Sequence, residues 1–290
     1  GLIEPCSQAG WIKRSVSTEL QLADPDVMNY AHQTACIADG AILGDNVTVG
    51  AFAVIEAGAE IGSGCHIGAH TVIHAGVTMG SNNRVYPHAV LGGDPQDVSF
   101  DGEVTRLRIG DKNVFREFVT VHRATRLEWP TSIGSNCYLM ANAHVAHDCQ
   151  LADKVTLTNL ATLGGHVQIG ERAMLGGHVP VHQFVRIGSL AMVGGNTTVR
   201  KDVLPFSLVA GEPARHYRLN SVGLRRAGVT AARLSALKAA FRALRQGRRD
   251  LDALPDGPEI ALLRAWLAVP SRRGLTGFAG ADGRADTSAG

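Results

Sequence analysis

The chain has 290 residues, with 28 Lys and Arg against 26 Asp and Glu, for a net charge of +2 at neutral pH. That length suits one large domain or two ordinary ones, and so balanced a charge gives no global sign of nucleic-acid binding. Thirty-four Gly beside only 5% aromatic residues fit many tight turns around a thin aliphatic core, as in a repeat protein.

The five cysteines, Cys6, Cys36, Cys65, Cys137 and Cys149, form no C-x-x-C pair. This predicts reduced thiols, a cytoplasmic location and no zinc knot. No apolar run approaches the roughly 18 residues of a membrane span, and the N-terminus lacks a secretory pattern, so no membrane insertion is expected.

Residues 1–30 lack sustained periodicity and read as an N-terminal extension. A period of six then begins. Every sixth residue from Ile37 is apolar through Leu43, Val49, Ile55, Ile61, Ile67, Ile73, Met79 and Val85 to Leu91. At the apolar frequency of this chain, such a run has a chance on the order of one in a few thousand. The phase continues at Ile109, Phe115 and Val121, then runs from Ile133 to Val199.

Six excludes a helix, which repeats about every 3.6 residues, and fits short strands joined by turns. Three sextets close one triangular coil, and each inward residue stacks on the one eighteen along, a column no single repeat could bury. Gly at 44, 50, 62, 68, 80 and 92 is expected to supply positive φ at the corners. Residues 93–106 and 123–132 interrupt the phase as polar loops, and loops on a rigid scaffold are where binding residues concentrate.

The repeat stops at Pro205, placing a β-solenoid over 31–212. Residues 213–249 contain ten Lys and Arg and no acidic residue. The spacing of Leu234, Leu237, Phe241 and Leu244 predicts a helix from about 230 to 245, and Ile260, Leu263 and Leu267 predict another over 258–268. Residues 213–278 thus form a basic helical domain suited to an acidic partner or phosphate, and 279–290 read as a disordered tail.

Between the two loops and the helices lies Asn142-Ala143-His144-Val145-Ala146-His147-Asp148. Histidine has its ordinary pKa near neutrality, so a positioned imidazole beside a carboxylate is a natural general base. His66, His70 and His74, spaced by four, fall at different turn positions of a six-residue coil and read as surface or interface residues. His122, His144 and His166, spaced by 22, leave open a zinc site like that of the β-helical carbonic anhydrases.

Several motifs occur in order: GGDPQD at 92–97, NAHVAHDC at 142–149, ATLGGHV at 161–167, VHQF at 181–184, NSVGLRRAG at 220–228 and SRRGL at 271–275. Together with the hexapeptide coils they resemble the UDP-N-acetylglucosamine O-acyltransferases that begin lipid A synthesis, over about residues 31–278. The resemblance implies a left-handed parallel β-helix followed by a small α-helical domain, assembled as a homotrimer with sites between subunits and needing no cofactor or metal.

By that resemblance His147 is the general base for transfer of an acyl chain, which the family generally prefers 3-hydroxylated, from acyl-carrier protein to the sugar 3-hydroxyl. Asp148 orients it, and the Gly165 N–H donates to the oxyanion. Asp97, His144, His166, His182 and Gln183 contact the sugar and bound ligand, while Asn220 and Arg226, with Arg225 as neighbour, hold the nucleotide. Gly195 lies at the bottom of the acyl groove.

The family has Lys where this chain has Ser99, and a second Arg where it has Ala227. Either Arg225 and Arg226 act as the pair, or the acceptor differs, a 3-amino analogue of the sugar giving an amide. A nucleotide-sugar-binding paralogue without turnover is the non-enzymatic alternative.

Overall fold

The computed structural model describes residues 29–280, which fall into two compact units divided between Lys154 and Val155. The expectations for residues 1–28 and 281–290 lie outside the described residues.

In the first unit, strands of two to four residues pair in parallel at a fixed spacing. One ladder carries Val49, Ile67 and Val85; a second Ile37, Ile55, Ile73 and Leu91; a third Leu43, Ile61 and Met79. Each step is eighteen residues, three sextets to a coil. The second residue of each pair points inward, and from Val49 onward these residues are buried. Burying each large aliphatic side chain contributes about 1.5–3 kcal/mol, realised only when the next coil covers it.

The spacing then changes twice. Met79 pairs with Ile109, Val85 with Phe115 and Leu91 with Val121, thirty residues apart. Ile109 pairs with Ile133, Phe115 with Leu139 and Val121 with Val145, twenty-four apart. Whole sextets have been inserted, so the inward phase survives. Both insertions leave after the second ladder and return at the third, at the same corner of successive coils. In the following coil that corner is the turn between Val145 and Leu151, which carries His147 and Asp148.

Of the glycines expected to supply positive φ, Gly92 does so, at 82°, whereas Gly44, Gly50, Gly62, Gly68 and Gly80 do a different job. Gly50 and Gly62 have no positive φ; a Cβ on Gly50 would lie 2.7 Å from Ala69 N, and one on Gly62 would lie 2.6 Å from Gly80 C. They permit close approach of the next coil. The positive φ falls largely on side-chain-bearing residues: Asn46, Phe52, His70, Asn82, His88, Phe118 and Asp148 among others. A left-handed residue with a Cβ costs about 1–2 kcal/mol, and stacking offsets part of it. At one corner Phe52, His70, His88 and Phe118 form a column with ring centroids 4.9–5.1 Å apart, which accounts for His70 as a surface residue of the coil.

The second unit continues the sextets: Leu157 with Leu175 and Val193, Leu163 with Val181, and Ile169 with Ile187. Ser207–Ala210 adds in parallel to Met192–Val193, then pairs antiparallel with Arg215–Leu219. The composition change at Pro213 therefore falls inside a hairpin.

Three helices follow: α1 (Ser221–Arg226), α2 (Ala231–Arg245) and α3 (Pro258–Ala268). The second begins at its Thr230 cap and buries Leu237, Phe241 and Leu244; the third buries Ile260 and Leu263. These side chains share one apolar cluster with Leu204, Phe206, Leu219 and Leu224. None of the helices among the described residues is long and apolar enough to cross a membrane.

His216 fastens the last described segment to this cluster. It is fully buried; its Nδ1–H donates to the Thr276 carbonyl at 2.9 Å, and its Nε2 accepts from Leu204 N–H at 3.0 Å. Burial lowers its pKa to about 4. The unfolded chain therefore binds this proton more readily than the folded one. The stability contributed by the neutral ring is full above pH ~6.5 and is lost as pH falls towards 4. In chemical denaturation, the stability difference between wild type and His216→Gln should shrink by about 2 kcal/mol between pH 7 and pH 5.

Candidate active site

The first unit brings His144, His147 and Asp148 together at its last corners. His144 occupies the outward position of a strand whose next residue, Val145, faces the core, and it pairs with Thr120 on the preceding coil. Its Nδ1 lies 2.7 Å from Thr120 Oγ1. His122 meets the His144 ring edge to face, with centroids 4.8 Å apart and planes at 79°.

Asp148 has φ of 59°, and this left-handed turn aims its carboxylate back along the chain. Oδ2 lies 2.7 Å from His147 Nδ1. The same carboxylate accepts from Thr125 N–H at 3.1 Å and from Thr125 Oγ1 at 2.8 Å. Asp148 N–H donates to Thr131 Oγ1 at 2.8 Å. The second loop thus clamps the acid from its start and its end. An ionised carboxylate can only accept, so His147 Nδ1 carries the hydrogen and Nε2 is the basic nitrogen.

The side chains of His147 and Asp148 are only 10% and 11% exposed. Burial, followed by the charges that His144 and His147 would carry, pushes the His122 pKa down to about 4. Burial and then His147 lower His144. Both neighbours are therefore neutral at pH 7.

Asp97 lies in the first loop, where its Oδ1 accepts from Ser99 N–H at 2.9 Å and from Ser99 Oγ at 2.7 Å. Ser99 thus organises the turn around Asp97.

In the second unit, Gly165 and His166 occupy a corner against the following coil. Gly165 O accepts from Phe184 N–H at 3.0 Å, and the His166 ring stacks on Phe184 at 4.5 Å. Arg272, from the SRRGL stretch, lies 4.9 Å over the same phenyl ring. His182 and Gln183 are exposed on that coil. Gly195 is exposed beside Gly177, whose carbonyl would lie 3.2 Å from a Cβ added to Gly195.

Asn220 caps α1 by accepting from Gly223 N–H at 3.0 Å and donates to Leu190 O at 2.9 Å, so it orients the helix whose last turn carries exposed Arg225 and Arg226. Neither the cap nor this helix was read from the sequence, although N-S-V-G before an apolar residue is a recognisable capping pattern. Thr120, Thr125 and Thr131 were missed as well, since spacing alone does not show that their hydroxyls meet the His144 ring, the Asp148 carboxylate and the Asp148 N–H.

Two family models match. One, described as bacterial transferase hexapeptide (six repeats), covers residues 40–75 and 58–93; the other, described as UDP-N-acetylglucosamine O-acyltransferase, domain 2, covers 202–276. The acyl-[acyl-carrier-protein]--UDP-N-acetylglucosamine O-acyltransferase of Verminephrobacter eiseniae is 45% identical over 258 residues, 84% of this chain and 98% of that protein. The chain belongs to the UDP-N-acetylglucosamine O-acyltransferase family.

The namesake from Stenotrophomonas maltophilia is 48% identical over 215 residues, 73% of this chain and 82% of its own. Among solved structures, LpxA from Acinetobacter baumannii superposes with a TM-score of 0.79 at 33% identity, covering 85% of this chain and 99% of that one. The Francisella novicida UDP-N-acetylglucosamine acyltransferase gives 0.82 at 28% identity, covering 90% and 98%. The fold is accordingly the left-handed parallel β-helix of the family, followed by short C-terminal helices.

Proton NMR titration should find the His122 imidazole half-protonated near pH 4 and His144 below its ordinary value of about 6.5. Burial and then His147 are what lower His144, so His122→Phe, which keeps an aromatic ring packed against it, should leave the His144 midpoint below its ordinary value.

Proposed function

We propose that this chain transfers a 3-hydroxyacyl group from acyl-carrier protein to the 3-hydroxyl of UDP-N-acetylglucosamine, the first step of lipid A synthesis. The observation that carries the reading is the His147–Asp148–Thr125 arrangement in a chain whose relatives bear that activity in their names. His147 Nε2 takes the hydroxyl proton as the sugar oxygen attacks the thioester carbonyl. The resulting oxyanion accepts from the Gly165 N–H, and its collapse expels the carrier thiol, which receives the proton from His147. Asp148 holds the imidazole in one tautomer and stabilises the imidazolium while it lasts.

His144 and His166 contact the sugar, Asp97 meets it from the first loop, and His182 and Gln183 contact bound ligand. Asn220 places α1 so that Arg225 and Arg226 reach the diphosphate, a role suited to a permanently charged planar guanidinium. Gly195 leaves room for the end of the acyl chain. A homotrimer supplies the second wall that a shallow solenoid face lacks. The basic surface of α2 receives the acidic carrier protein, and the reaction runs in the cytoplasm.

Ser99 and Ala227 keep one competing acceptor in view. With Ser99 directed at Asp97 and no second cation after Arg226, a 3-amino nucleotide sugar would be met by less positive charge.

Mass-spectrometric assay of acyl transfer, offering both acceptors with 3-hydroxyacyl carrier proteins of several lengths, tests the reading. An ester product that falls at least about a hundredfold in His147→Ala, with Asp148→Asn losing less, is the expected result. Product only from the amino sugar would make Ser99 and Ala227 specificity determinants. No product from either acceptor would overturn the proposal.

A further inference from the structure

The sequence marks Arg123 only as the first residue of a polar interruption, yet in the fold it is a buried cation reaching into the other loop. Its side chain is 10% exposed, and Nη1 lies 2.5 Å from Asp94 Oδ1. The same nitrogen donates to Gly92 O at 3.3 Å, and Nη2 donates to Glu103 O at 3.5 Å. The guanidinium carbon sits 5.4 Å from the centroid of Phe100, and the backbone N–H of Arg123 donates to Gly93 O at 3.0 Å.

One planar group thus touches the departing arm of the 93–106 loop, its middle and its returning arm. We propose that Arg123 is a positioning residue for the nucleotide-sugar acceptor, a pin that fixes this loop, and with it Asp97, beside the imidazole cluster. The role rests on the acyltransferase reading above.

Three features point to this arrangement. Arg123 directly follows His122, whose ring packs on His144, so the pin and the cluster share one rigid strand end. Phe100 N–H donates to Asp97 O at 3.1 Å, linking the ring under the guanidinium to the turn that Ser99 organises. Gly92, with φ of 82°, could not carry a side chain, since its Cβ would lie 2.3 Å from Val77 Cγ2; the loop must leave along this path. A lysine cannot reproduce the contacts, because one ammonium offers neither the fork nor the flat face.

The test uses the full-length chain with Arg123→Ala and Arg123→Lys, read by hydrogen–deuterium exchange without substrate and by kinetics with each substrate varied in turn. In Arg123→Ala, exchange in 93–106 should accelerate about tenfold while the strands at Leu91 and Val121 keep their protection. KM for UDP-N-acetylglucosamine should rise about tenfold, with KM for the acyl-carrier protein changing less than about twofold. Added methylguanidinium should recover part of the acceptor KM, and Arg123→Lys should fall between.

Unchanged exchange in the loop would overturn the proposal, as would parallel loss of kcat and both KM values accompanied by deprotection of the strands. Absence of turnover in the wild-type chain would instead sink the acyltransferase reading. Loop pinning would then stand or fall on exchange alone.

Discussion

Parallel pairing at a spacing of whole sextets is the constraint on which the rest depends. An inward Ile, Leu or Val is covered only by its counterpart in the next coil, and backbones approach so closely that Gly50 and Gly62 admit no Cβ. The ladder therefore accepts extra residues only in multiples that restore the inward phase. Insertions that obey this rule leave the column intact, as the thirty- and twenty-four-residue steps do.

The position of the insertions gives the scaffold its chemistry. Both loops leave from one corner in consecutive coils, and the next coil turns that corner at His147 and Asp148. Thr125 and Thr131 then hold the carboxylate, while Arg123 reaches back into the earlier loop. A left-handed residue at the corner, Asp148 itself, directs the acid towards its neighbour's imidazole. The backbone geometry that closes the coil thus also builds the dyad.

Burial separates roles among chemically identical rings. His122 and His144 are held neutral first by desolvation and then by the charge their neighbours would carry, His144 and His147 for His122 and His147 for His144, whereas His147 has a carboxylate at its Nδ1. His216, far along the chain, shows the same physics used for stability: it is buried, hydrogen-bonded at both nitrogens and kept uncharged. A neutral imidazole is a good structural link because it donates and accepts at once, which the protonated ring cannot do.

The six-residue period, the inward column, the two loops and the helices over 231–245 and 258–268 were legible because each follows from side-chain periodicity. His147 beside Asp148 was legible because the two are adjacent and sit in a recognisable motif. The sequence did not show why the glycines recur, since a close approach of coils and a positive φ both call for Gly, and only the packed backbone distinguishes them. It placed a boundary after residue 212 because charge changes there, although backbone pairing continues to Leu219. Thr120, Arg123 and Thr125 carried no signal, as their partners lie 20 or more residues away across coils. Periodicity records which way a side chain faces; what it meets there is decided by the register between coils, which only the tertiary structure sets.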